Sequence, residues 1–177
     1  MHGIVHKAFK EFVETEVDGI NWEAVVDEAG LEPTLYLPVT DYPDEEFTRA
    51  ATALSELSGR PDASLHKSFG RSLAPSLLDT FKAHIRDDWD AREVLLALDS
   101  IYEQLDSDDE HSTSSTVSTR TDGNEVVLTY RSDRQLCTVL RGIVIGIADE
   151  YERTAEIVEP ACLQAGADRC ELHVTLD

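Results

Sequence analysis

Between Asp106 and Thr116 the chain carries no apolar residue, only acids, serines, threonines and His111. Apolar residues recur at helical spacing before this run; after it they alternate between turn signals. The run is therefore expected to be a surface connection where one kind of secondary structure gives way to another. At 177 residues the chain suffices for one sizeable domain or two tightly joined subdomains.

The first part reads as helices. Ile4, Val5, Ala8, Phe9, Phe12 and Val13 make one stripe. Trp22, Val25, Val26 and Ala29 make a second, stopped by Gly30. Leu35 to Pro43 is a connector with two prolines, and Asp44-Glu45-Glu46 opens a helix whose dipole favours acids there. That helix ends at Ser58-Gly59. Another spans Ser64 to Ile85, bent or interrupted near Pro75. The last begins at Asp88 or Asp90 and carries Leu95, Leu98, Tyr102 and Leu105 on one stripe.

Beyond the polar run, Thr121-Asp122-Gly123-Asn124 marks a hairpin. Glu125 to Arg131 alternates, with Val126, Leu128 and Tyr130 on one face. Ser132 or Asp133 is expected to cap a helix from Gln135 to about Glu152. Ala155 to Cys162 and Arg169 to Leu176 form a second hairpin around Gly166. The expected fold is α+β, one domain over 1–177: a helical subdomain (1–105) packed on a four-stranded antiparallel sheet with a long helix (106–177).

Acids number 36 against 15 basic residues, a net charge of −21. Nucleic acid and anionic membrane surfaces are excluded as partners by repulsion. The acids are spread along the whole chain, a solvation pattern suited to high salt, where screening removes self-repulsion. No stretch approaches about 18 uncharged apolar residues, and the N-terminus lacks an apolar signal core, so a cytoplasmic protein is expected. An odd count of three cysteines argues against a secreted disulfide framework. No phosphate-cradling loop, nucleophile elbow or His/carboxylate metal helix appears, so catalysis is not expected.

Tyr130-Arg131-Ser132-Asp133-Arg134 lies where a strand gives way to a helix. A phenol, a hydroxyl and a guanidinium converging there would suit carboxylates, since Arg offers a planar fork. Met1-His2-Gly3-Ile4, Tyr42-Pro43-Asp44-Glu45-Glu46, Leu54 to Gly59, Phe69-Gly70 and Leu98-Asp99 precede it in order. This ordered set resembles the H-NOX family of heme–nitric oxide/oxygen binding domains from end to end. The resemblance implies heme b between the halves, with propionates on Tyr130, Ser132 and Arg134. It also implies a diatomic gas as ligand and a signalling partner such as a histidine kinase, a cyclic-dinucleotide enzyme or a chemotaxis transducer.

The family's proximal histidine is missing. Tyr102 stands at the matching position, with two roles open to it: axial ligand of ferric heme iron, or a buried ring filling the pocket. The resemblance assigns the distal side to Val5, Phe9, Val139 and Leu140. An apolar wall of this kind offers no hydrogen bond to dioxygen and would favour nitric oxide. His2, His6, His66 and His84 read as surface or hydrogen-bonded histidines, and His111 as an exposed loop residue.

Cys162 and Cys170 face each other at the mouth of the last hairpin, and Cys137 follows the Tyr-x-Ser-x-Arg turn. Many bacterial members of the family this chain resembles look similar here, and some use four cysteines to bind zinc or sense oxidation. With Gln164 near the fourth position, three readings stay open: inert buried thiols, a Cys162–Cys170 redox pair, or a depleted zinc site, the last least expected. A heme-free, ligand- or thiol-redox-responsive interaction module on the same fold is therefore the alternative function.

Overall fold

Two apolar cores form, and both draw residues from either side of the polar run. The computed structural model describes residues 1–38, 40–106 and 115–177, with side chains except at 104–106. The expectations for the loop at 107–114, including His111, and for the side chain of Leu105 lie outside the described residues.

The first core belongs to α1 (Gly3–Glu16), α2 (Trp22–Ala29), α3 (Asp44–Ser58) and α4 (Asp62–Thr80). Their apolar stripes meet in an aromatic cluster. The Phe9 ring lies 5.0 Å from both Phe47 and Phe69, each contact edge-on, where ring quadrupoles attract. Burying each of these rings contributes roughly 1.5–3 kcal/mol. Gly3 N–H donates to the Thr40 carbonyl at 2.8 Å and Tyr42 N–H to the Met1 carbonyl at 2.9 Å, so the chain start is pinned beside the connector.

The second core joins α5 (Ala91–Leu96), α6 (Leu98–Asp106), α7 (Cys137–Glu150) and a four-stranded antiparallel sheet. The strands are β1 (Thr116–Asp122), β2 (Glu125–Arg131), β3 (Ala155–Ala161) and β4 (Cys170–Leu176), in the order β1-β2-β4-β3. Val126, Leu128 and Tyr130 of β2 turn inward with Leu172 and Val174 of β4, as strand alternation requires. No helix among the described residues is long and apolar enough to cross a membrane.

Helix α7 ties the cores together. Val139 packs into the helical core, while Leu140, the next residue, packs into the sheet core. Its seam with α4 is backbone against backbone: a Cβ at Gly70 would collide with the Val139 carbonyl, and one at Gly142 with the Lys67 carbonyl. Only glycine permits that approach.

Several boundaries differ from expectation. The stripe from Asp90 to Leu105 is two helices, because Ala97 N–H is shared between the Glu93 and Val94 carbonyls at 3.1 Å and tightens the turn there. Asp90 caps the first with a reciprocal box to Glu93. Helix α7 starts at Cys137 rather than Gln135, whose φ of 52° breaks the run; neither Ser132 nor Asp133 caps it. Helix α4 passes through Pro75 and ends at Thr80, followed by a 3-10 turn at Lys82–His84.

Candidate functional site

A cavity of about 130 Å³ opens between the two cores. Val5 of α1, Leu73 and Leu77 of α4, and Val139, Leu140 and Ile143 of α7 line it. Leu98, Ile101 and Tyr102 of α6 and Val117 of β1 close the opposite side. Met1, His2, Tyr130, Arg134 and Leu136 complete the lining and bring the polar groups. The cavity is therefore apolar along its walls and cationic at one end.

That end is built by the turn between β2 and α7. Ser132 Oγ accepts from Arg134 N–H at 3.1 Å and shares a hydrogen with Ser115 Oγ at 2.5 Å, which fixes the turn. Arg134 Nε donates to Asp44 Oδ2 at 2.5 Å, and the Met1 ammonium lies 2.8 Å from Asp44 Oδ1. Burial pushes the Asp44 carboxyl up, but the ammonium and Arg134 outweigh it and hold the carboxyl below its usual range. Burial works against the Arg134 charge in the same way, and the Asp44 contact overcomes it. The Tyr130 phenol is raised well above its ordinary value, chiefly by burial, against the opposing Ser132 hydrogen bond. Its ring stands edge-on to Tyr102 at 6.5 Å and 78°.

Of the eight residues expected around one ligand, Tyr102, Tyr130, Arg134, Val5, Val139 and Leu140 line this cavity. Ser132 stands behind it, holding the turn. Phe9 does not line it: that ring is fully buried in the aromatic cluster, one turn too deep along α1. Sequence reasoning missed Asp44 as the partner of Arg134, and His2, whose Nδ1 caps α1 by accepting from Ile4 N–H at 3.4 Å. A residue at N-cap position before an apolar stripe was the available signal for His2. His6 is not exposed. It is buried, its ring nitrogens make no well-formed hydrogen bond although the His2 and Pro43 carbonyls lie near them, and it stacks on Tyr36 at 4.8 Å.

The three cysteines converge at a second place. Their Sγ atoms all lie within 4.8 Å of one another, with Cys170 and Cys162 at 3.9 Å. Burial pushes the Cys137 thiol up, and pushes Cys170 to about 12. Burial also raises Cys162, but hydrogen bonds from the Gln164 N–H and the two neighbouring thiols bring it below its ordinary value. Cys170 pairs in register with Tyr130, so this cluster backs onto the cavity.

A helical half and an antiparallel half closed on one apolar cavity define a two-part α+β domain. The model of the haem-NO-binding family matches residues 2–159, and the chain belongs to that family, also called H-NOX. The H-NOX protein of S. oneidensis in its Fe(II)NO state is 18% identical, with a TM-score of 0.87 over 100% of this chain and 99% of that one. An oxygen-binding H-NOX domain related to soluble guanylate cyclases is 17% identical, with a TM-score of 0.82 over 100% and 95%. Fe(II) unliganded H-NOX from K. algicida is 16% identical, with a TM-score of 0.80 over 100% and 97%. At these identities the structural likeness establishes the fold. No curated protein sequence matches the chain.

Proposed function

We propose that the chain is a heme-binding gas-sensor domain that acts in the cytoplasm as one unit and catalyses nothing itself. One observation carries this reading: the cavity between the cores has apolar walls and a half-buried guanidinium at one end. Those apolar walls suit the faces of a flat macrocycle, for which the cavity would widen, and Arg134 with Tyr130 suits its carboxylate arms, Ser132 holding the turn that carries them. Asp44, itself paired with the Met1 ammonium, holds the guanidinium in place at that end.

Bound heme b would supply an iron centre that takes up a diatomic gas. Tyr102 of α6 lines the cavity and carries a phenol oxygen, and it is the residue that would ligate that iron. Val5, Val139 and Leu140 present no hydrogen-bond donor, so the pocket favours nitric oxide over dioxygen, which needs one. The signal leaves through α7, whose residues 139 and 140 belong to different cores. A change at the cavity tilts the first core, α1 to α4, against the second, and a signalling protein reads that tilt. A histidine kinase, cyclic-dinucleotide enzyme or chemotaxis transducer fits this role.

Reconstitution of the purified chain with hemin tests the reading. A 1:1 complex with a Soret band is expected, and Tyr102→Phe should change the ferric spectrum while leaving far-ultraviolet dichroism unchanged. A chain that takes up no hemin would leave the heme-free, thiol-responsive alternative, which the three-cysteine cluster favours.

A further inference from the structure

Cys137 opens α7, Cys162 follows β3 and Cys170 opens β4, so three separate elements deliver three sulfur atoms to one point. No fourth Cys, His or carboxylate joins the cluster among the described residues. The nearest amide is committed elsewhere: Gln164 Nε2 donates to the Gln135 carbonyl at 3.0 Å, and its Oε1 accepts from Thr138 at 3.4 Å. His173 lies on the opposite face of β4, with its ring nitrogens 2.9 Å from Glu125 and from Glu171. Among the described residues the donor set is three thiols. Cys137 and Cys170 are buried and Cys162 is half-buried, so Cys162 is the entry side.

We propose that Cys137, Cys162 and Cys170 form a three-coordinate thiolate site for a trivalent thiophilic metalloid, with arsenite as the probe. Coordination number and charge argue for this class. A tetrahedral ion such as zinc wants four ligands and would leave an open position. Three thiolates around a divalent ion leave one negative charge, and around Cu(I) two, in a place where two of the sulfurs are out of water. Three thiolates around a trivalent centre leave none. The reaction balances without an oxidant. Three As–O bonds of arsenous acid break, three As–S bonds form, and the three thiol protons leave with the hydroxides as three waters. Arsenic stays trivalent. The proposal does not depend on heme.

The test is arsenite titration of the reduced full chain with glutathione present in excess. One arsenic per chain is expected, with a mass gain of one arsenic less three hydrogens and X-ray absorption showing three sulfur neighbours. Cys162→Ser, at the half-buried position, should weaken binding by about 100-fold, the gain from closing a third bond within the chain. The same loss is expected for Cys137→Ser and Cys170→Ser, read only where dichroism shows the native fold. An adduct that keeps a hydroxyl, binding that glutathione abolishes, or displacement of arsenic by stoichiometric zinc or Cu(I) would each overturn the proposal. These readouts follow sulfur, so they are independent of whether a Soret band forms.

Discussion

Arg134 Nε and Asp44 Oδ2 are 2.5 Å apart although 90 residues separate them in the chain. The contact joins the turn before α7 to the first residue of α3, and the Met1 ammonium closes on the same carboxylate. One carboxylate, in two ion pairs, therefore holds the chain start, the helical half and the cavity's cationic end in register.

Asp44→Asn should lower stability at pH 7 by about 1–2 kcal/mol, because it leaves two cations facing a neutral amide. The folded carboxyl is held below its usual range. Its contribution is thus complete above the unfolded value near 4 and is lost as pH falls below it. Urea unfolding at pH 7 and at pH 3 checks this: the gap between wild type and variant should shrink at pH 3. An equal gap at both would assign the effect to packing.

His6 sits among Tyr36, Tyr42 and Phe47 with its pKa lowered from 6.5 to about 4. Burial is the main cause. The Met1 ammonium adds to it, while Asp44 and the carbonyls of His2 and Pro43 oppose it. The unfolded chain takes up this proton below pH 6.5 and the folded chain does not. Stability is therefore lost as pH falls from 6.5 toward 4, by up to about 3 kcal/mol, and this loss levels off below that. His6→Phe should remove that part of the acid sensitivity. Thermal melts from pH 7.5 to 4 measure it; parallel curves for the two proteins would contradict the prediction.

Gly142→Ala separates two opposing effects. In an exposed helix the change would stabilise by about 1 kcal/mol. Here the added carbon meets the Lys67 carbonyl and the Gly70 Cα. A net loss of about 1–3 kcal/mol is expected from forcing α4 and α7 apart. Guanidinium unfolding reads the sign directly.

Thr119 Oγ1 donates to the Leu96 carbonyl at 2.6 Å, tying β1 to the last residue of α5. Thr119→Val keeps the side-chain shape and β propensity but loses the bond. A loss of about 1 kcal/mol is expected in denaturant unfolding, with hydrogen exchange accelerating first at the α5–α6 junction.

Element types followed from local pattern. The stripe of Ile4, Phe9, Phe12 and Val13 made α1, and the alternation of Val126, Leu128 and Tyr130 made the inner face of β2. Boundaries were less legible. The break at Ala97 and the left-handed Gln135 have no sequence signature, because packing on either side imposes them. Of the expected site residues, Tyr130, Arg134, Val5, Val139 and Leu140 line the cavity, while Phe9 lies one helical turn away in the aromatic cluster. On a single stripe, residues that reach a core and residues that rim a cavity look alike.

The order of elements and the family were thus determined by the sequence alone, because periodicity and motif order are local properties of the chain. Tertiary structure decided which side chains meet. It set Arg134 against Asp44, stranded His6 among aromatic rings, and drew Cys137, Cys162 and Cys170 from three elements into one cluster. Each of these depends on how α7 lies between two cores. That placement is fixed by close packing at glycines 70 and 142, a long-range steric fit that no local pattern encodes.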